Sequence, residues 1–257
     1  MSWHDACEKV TPYIVKVETP AGSGTGFFFA YNADRALVAV ATALHVVQDA
    51  EDWRQPIKIV QGEKEVFVRY DDRAVLVDRE RDSAAILLPA HACRSGGIVV
   101  PESMLTLLQK DYQVKVGVAL GWAGYPALAP KTLCFFQGGV SAFNRADDSY
   151  FIDGVAINGV SGGPVFEDSL DEGEKAVRLV GIVSAYFANR QRGDTLPGLL
   201  IVHDVTHLHE TIERVKSRDE ARRKEEQSKE KARGAAADAK PAEGRQGPQE
   251  PNPKKAG

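Results

Sequence analysis

The chain has 257 residues, and its 43% hydrophobic content can supply one sizeable core or two small ones, so a globular fold is expected rather than a disordered or fibrous one. A formal charge of -4 gives no general attraction to nucleic acid or to an anionic membrane, and no stretch reaches the ~18 apolar residues of a membrane span. The three widely spaced cysteines, Cys7, Cys93 and Cys134, form no CxxC pair, which argues against a disulfide framework or a zinc site; no cofactor is expected.

The first residues, MSWHDACEKV, carry acids and no apolar leader core, which with the cysteine usage points to a cytoplasmic protein. From about residue 10 to 205 follow short apolar, β-branched runs broken by Gly, Pro, Asn and Asp: YIVKVE, GFFFA, ALVAVA, IKIV, VFVRY, AVLV, AAILL, YQVKVGVAL, YFI, GPVF, VRLVGIVSA and GLLIV. Runs of this length, with turn signals between them, predict an all-β sandwich or barrel in which helix is scarce. Near residue 204 the period changes. Asp204 or Thr206 can cap a helix whose apolar positions Leu208, Ile212 and Val215 share one face. From 216 to 257 the chain is almost wholly charged, Ala, Gln, Gly or Pro; SRDEARRKEEQSKEKAR can prolong the helix, and the rest is too polar to offset its ordering entropy. The expected organisation is therefore a domain over 10–215 and a charged tail, partly helical and then disordered, over 216–257.

Three segments carry chemistry. Gly159-Val160-Ser161-Gly162-Gly163-Pro164 places a serine among glycines, where the backbone can turn tightly and direct successive N–H groups at one point. Upstream lie Thr42-Ala43-Leu44-His45-Val46-Val47 and Asp82-Ser83-Ala84-Ala85-Ile86-Leu87. Alone, His45 reads as a core histidine, Asp82 as a turn carboxylate, and the serine segment as a glycine-rich turn. Together, and in the order His, Asp, Ser, they offer a weak nucleophile, a base to take its proton, and a carboxylate to hold that base.

On these motifs the chain resembles the trypsin-like (chymotrypsin-fold) serine proteases, especially compact bacterial members related to the high-temperature-requirement (HtrA) proteases. The resemblance runs over about residues 10–212 and includes GSGTGFF before the histidine, Gly124-Tyr125-Pro126, GGVS from Gly138 to Ser141, and Leu179 to Ser184. GSGTGFF spells GxGxG in β-rich text, which argues against a dinucleotide site. The resemblance implies two six-stranded antiparallel β-barrels with a C-terminal helix, and a serine endopeptidase acting on a protein or peptide substrate. It implies His45 as general base, Asp82 as its orienting partner, Ser161 as acyl-forming nucleophile, and the N–H groups of Gly159 and Ser161 as the oxyanion hole. It further implies a specificity pocket with Val155 and Ala156 at its base and Ser184, Ala185 and Tyr186 along one wall. That pocket has no carboxylate, so cleavage after small or medium apolar residues is expected.

Two departures qualify the resemblance. Many extracellular members carry Asp immediately before the nucleophile, pairing with a new N-terminus, whereas this chain has Val160 and no IVGG-like start after a basic site. The residues after about 212 are too few and too polar for a substrate-tethering PDZ domain, so none is expected there. The competing expectations are a catalytically silent homologue that binds peptides, and an effector switched by a regulatory partner through the C-terminal helix or tail.

Overall fold

The computed structural model describes residues 2–155, 157–171, 174–186, 189–191, 194–196 and 199–238. The first half contains α1 (Trp3–Val10), β1 (Ile14–Thr19), β2 (Gly22–Tyr31), β3 (Leu37–Ala43), α2 (Leu44–Asp52), β4 (Ile57–Gln61), β5 (Lys64–Val68), β6 (Ala74–Asp78), β7 (Ser83–Pro89) and α3 (Ala90–Ser95). The second contains β8 (Thr106–Leu107), β9 (Ala119–Gly124), β10 (Cys134–Asn144), β11 (Ser149–Asp153), β12 (Pro164–Asp171), β13 (Glu174–Tyr186), the hairpin β14 (Asn189–Gln191) and β15 (Asp194–Leu196), β16 (Leu199–Asp204) and α4 (Thr206–Asp238). Two compact units result, Met1–Lys216 and Ser217–Gly257. The expected disordered end of the tail, 239–257, lies outside the described residues. No described helix is long and apolar enough to cross a membrane.

The second sheet closes. Its order β12-β9-β10-β11-β16-β13 is completed by pairing of β12 with β13, and β8 adds in parallel to β13. The first sheet has the order β5-β4-β1-β2-β3-β7-β6, and among the described residues its edges β5 and β6 are not paired with each other. The expectation of two closed six-stranded barrels thus holds for the second half, while the first half is a curled seven-stranded sheet. A side chain bridges the region between its edges: the buried Arg73 guanidinium donates to the carbonyls of Val68 (3.1 Å) and Gln55 (2.9 Å) and to the carboxylate of Glu51.

Period-two alternation sorts the strand residues between two cores. Phe27, Phe29, Ala39, Ala41, Ala85 and Leu87 join a core shared with the second sheet, which contributes Trp122, Tyr150, Val165 and Ile182. Their neighbours Phe28, Val38, Val40, Ile86 and Leu88 turn to the other face and pack with Val47 and Ala50 of α2. Leu208 and Val215 of α4 are buried in the shared core, with Ile212 packed against it.

Two local expectations need correction. The run YQVKVGVAL becomes strand only from Ala119, because Gly117 turns at φ +88° and leaves Val116 and Val118 facing outward. The stretch after His45 is helical: Leu44, Val47 and Ala50 fall three apart on the buried face of α2.

Arg73 is 1% exposed and its partner Glu51 22%. Replacing it leaves a carboxylate and several carbonyls without donors, so Arg73→Met is expected to destabilise the fold by about 2 to 4 kcal/mol. The check is a urea titration, in which the midpoint should fall while the slope is retained.

Candidate active site

His45 occupies the first turn of α2, and Ala43, at the position that caps this helix, offers no side-chain acceptor. The acceptors come from Asp82, in the turn between β6 and β7. Its carbonyl takes the Leu44 N–H (2.9 Å), and its Oδ1 takes the His45 N–H (3.0 Å). Two of the unpaired N–H groups at the start of α2 are satisfied in this way, with a negative charge placed at a helix N-terminus. Asp82 reaches them at φ +45°, a left-handed conformation that Asp tolerates better than most residues.

The other carboxylate oxygen serves the imidazole. Asp82 Oδ2 lies 2.7 Å from His45 Nδ1 and accepts a second hydrogen bond from Ser184 Oγ at 2.6 Å. Because a carboxylate only accepts, Nδ1 carries the proton, and the Nε2 of the neutral ring presents its lone pair. Burial alone would push the Asp82 carboxyl up, but the hydrogen bonds from His45 and Ser184 more than offset this and hold it below its ordinary value of 3.8. Ser184 lies where β13 slips by one residue against β16, between Val183 and Ala185. Such a bulge re-aims a side chain, here toward the carboxylate.

Ser161 lies in the turn between β11 and β12. Gly159 (φ +91°) and Gly162 (φ +86°) give the turn its shape, and a Cβ on Gly162 would fall 2.1 Å from the Thr25 carbonyl oxygen. The carbonyls of Asn158 and Val160 are held by the N–H groups of Ala127 (2.7 Å) and Gly163 (2.9 Å). C=O and N–H point oppositely across a trans peptide, so the N–H groups of Gly159 and Ser161 are directed away from these anchors, and they donate to no acceptor in the described chain. A cleft of about 270 Å³ is lined by Gly159, Ser161, His45, Asn158, Ser23 and Asp49, among others. Ser161 and His45 thus line one cavity, although no hydrogen bond joins the hydroxyl to the ring.

These features combine a polarised imidazole, a hydroxyl and two free N–H donors. The trypsin-like peptidase domain model matches residues 24–182, more than half of the sequence. The chain belongs to the trypsin-like peptidase domain family. Solved structures similar to this peptidase domain share its fold at low identity. The Rv3671c protein from M. tuberculosis H37Rv, a serine-to-alanine mutant in an inactive form, is 18% identical with a TM-score of 0.55, over 82% of this chain and 89% of that one. The serine endoprotease from Yersinia pestis is 18% identical with a TM-score of 0.59, over 84% and 66%. Deg5 is 16% identical with a TM-score of 0.57, over 80% and 90%. No curated protein matches this chain significantly in sequence.

The residues expected to form the specificity pocket are distributed unevenly. Val155 is 47% exposed and Ala185 is exposed, while Ser184 is buried with its hydroxyl committed to Asp82. Ala156 and the side chain of Tyr186 lie outside the described residues. Three features were not read from the sequence: the capping of α2 by Asp82, the Ser184 hydrogen bond, and the part played by Thr25 beneath the serine turn. The available signal for Thr25 was its place in GSGTGFF, a polar residue among glycines and phenylalanines.

A carboxyl whose folded value is depressed contributes stability that is present above its unfolded value and lost as the pH falls through the folded one. The stability margin of the wild type over Asp82→Asn is therefore expected to be constant above about pH 5 and to shrink below about pH 4. Paired thermal melts across that range check it; a margin independent of pH would contradict the assigned ionisation.

Proposed function

We propose that the protein is a serine endopeptidase working through an acyl-enzyme, with His45, Asp82 and Ser161 as its triad and the N–H groups of Gly159 and Ser161 as its oxyanion hole. The observation that carries this reading is the Asp82 carboxylate on His45 Nδ1, which leaves Nε2 basic beside a cleft shared with Ser161. In the reaction, Nε2 removes the Ser161 proton as Oγ attacks the scissile carbonyl. The two N–H donors receive the negative charge on the carbonyl oxygen, and Asp82 stabilises the imidazolium. The imidazolium then protonates the leaving amine, and a water activated by the same ring hydrolyses the ester.

The proposed substrate is a protein or peptide with a small or medium apolar residue before the scissile bond. In support, Val155 brings no charge and the Ser184 hydroxyl is already engaged, so a buried Arg or Lys would lack a counter-charge. One observation favours a second reading, a silent peptide-binding homologue: the Ser161 hydroxyl makes no hydrogen bond to the imidazole. Catalytic hydrogen bonds in unliganded enzymes often tighten only around substrate.

A peptide-library digest by wild-type, Ser161→Ala and His45→Ala proteins tests the proposal. Each substitution is expected to lower kcat by about a million-fold, leaving roughly 1000-fold to 10,000-fold over water. Wild-type turnover by Ser161→Ala would refute the assignment, and failure of the wild type to react with an active-site serine phosphonate would favour the silent homologue. Among cleaved peptides, Ala or Val before the bond should exceed Arg by about 100-fold or more in kcat/KM.

A further inference from the structure

The unpaired N–H groups of Gly159 and Ser161 require an explanation, because the turn that carries them has no ion pair to hold it. The residue before the nucleophile is Val160, 1% exposed in the shared core, which brings no charge to the turn. Four consecutive peptide groups make up the turn, and each carbonyl has one anchor. Two of these are the bonds already described, from Ala127 to Asn158 and from Gly163 to Val160. The other two come from a single residue of the opposite sheet. Thr25 Oγ1 lies 2.8 Å from the Gly159 carbonyl oxygen, and the Thr25 N–H donates to the Ser161 carbonyl at 2.8 Å.

Thr25 is itself fixed. It is fully buried on β2, its hydroxyl oxygen accepts the Tyr125 N–H at 3.0 Å, and its carbonyl accepts the Thr42 hydroxyl at 2.7 Å. A threonine hydroxyl has one proton to give. Since the Tyr125 N–H can only donate, that proton is directed at Gly159. Glycine at φ +91° opposes rotation of the peptides on either side of it only weakly, so the way its N–H points depends on the anchors flanking Gly159, with the Val160 N–H to the Ile157 carbonyl (3.2 Å) as a further, longer bond on the second of these peptides. Ala127 supplies the one before it and Thr25 the one after.

We propose that Thr25 is a positioning residue for the oxyanion hole, its hydroxyl and N–H stapling both sides of the Gly159–Ser161 turn so that the two donors face the cleft without a zymogen-type ion pair. This rests on the serine endopeptidase reading. It makes the hole a preformed feature of the fold and assigns part of its support to the first sheet, although its donors belong to the second.

The test is Thr25→Val, which keeps the shape and removes the hydroxyl, compared with Thr25→Ser. Rates are normalised to the sites that react with a serine phosphonate. Thr25→Val is expected to lose about 10-fold to 100-fold in kcat with KM within about 2-fold, and to bind a peptide boronate, whose adduct places an oxygen in the hole, more weakly by the same factor. Thr25→Ser should restore both to within about 3-fold. A purely structural role would lower the reactive fraction while leaving kcat per site and boronate affinity at wild-type values, and that result would overturn the proposal. If Thr25→Val does not fold, Thr25→Cys, a weak donor of similar size, replaces it; equal kcat per site in the Ser and Cys variants would overturn the proposal as well. Failure of the wild type to react with the phosphonate sinks the endopeptidase reading instead, and the staple is then read by amide hydrogen exchange. The amides of Val160 and Gly162 should exchange faster in Thr25→Val than in the wild type, and unchanged exchange refutes the staple on its own.

Discussion

The Asp82 carboxylate is the constraint on which the candidate site depends. It accepts from the His45 backbone, the His45 ring and the Ser184 hydroxyl, three donors on helix α2 and on β13 of the second sheet. Taking a carboxylate partly out of water is unfavourable, and it is stable here because every bond it receives favours the charged form. The same contacts cap α2, fix the imidazole tautomer and tie β13 to the turn before β7. Removing the charge would therefore disturb helix, ring and inter-sheet contact at once. The neighbouring Arg81 reinforces that turn, bridging Asp78 (2.9 Å) to Asp148 (2.6 Å), which lies in the turn between β10 and β11.

A second tie runs in the opposite direction. Asp82 of the first sheet receives a hydroxyl from the second, while the serine turn of the second sheet is held by Thr25 of the first. Gly162 completes the contact, since its backbone approaches Thr25, Thr42 and Ala43 too closely for any side chain. Beneath both ties lies the shared core, where Phe27 and Phe29 meet residues such as Trp122 and Val165. Close-packed interiors are stiff, so the apolar contact sets the coarse position of the two sheets and the polar ties set the finer position of the His45 and Ser161 groups.

The strands were legible in the sequence as short apolar runs between turn residues, because a strand buried on both faces, as at Phe27, Phe28 and Phe29, is apolar without interruption, and the three candidate site residues stood out because nucleophilic chemistry demands specific side chains in specific local contexts. The same reading failed where a local pattern served two ends. YQVKVGVAL has strand composition, yet Gly117 diverts the chain before Ala119, and the helical spacing of Leu44, Val47 and Ala50 was masked by the β-branched text around it. Closure of the second sheet and the open edges of the first depend on pairings between distant strands, which no local window contains.

What the sequence determined by itself was therefore the inventory: which residues alternate into a core, which serine stands among glycines, and which histidine and aspartate accompany it. Tertiary structure alone decided that Asp82 caps α2 while orienting His45, that a bulge turns Ser184 to the same carboxylate, and that Thr25 lies under the serine turn. Each of these is a hydrogen bond between residues far apart in the chain. Its geometry depends on the register and curvature of two sheets together, and composition and local period carry no information about either.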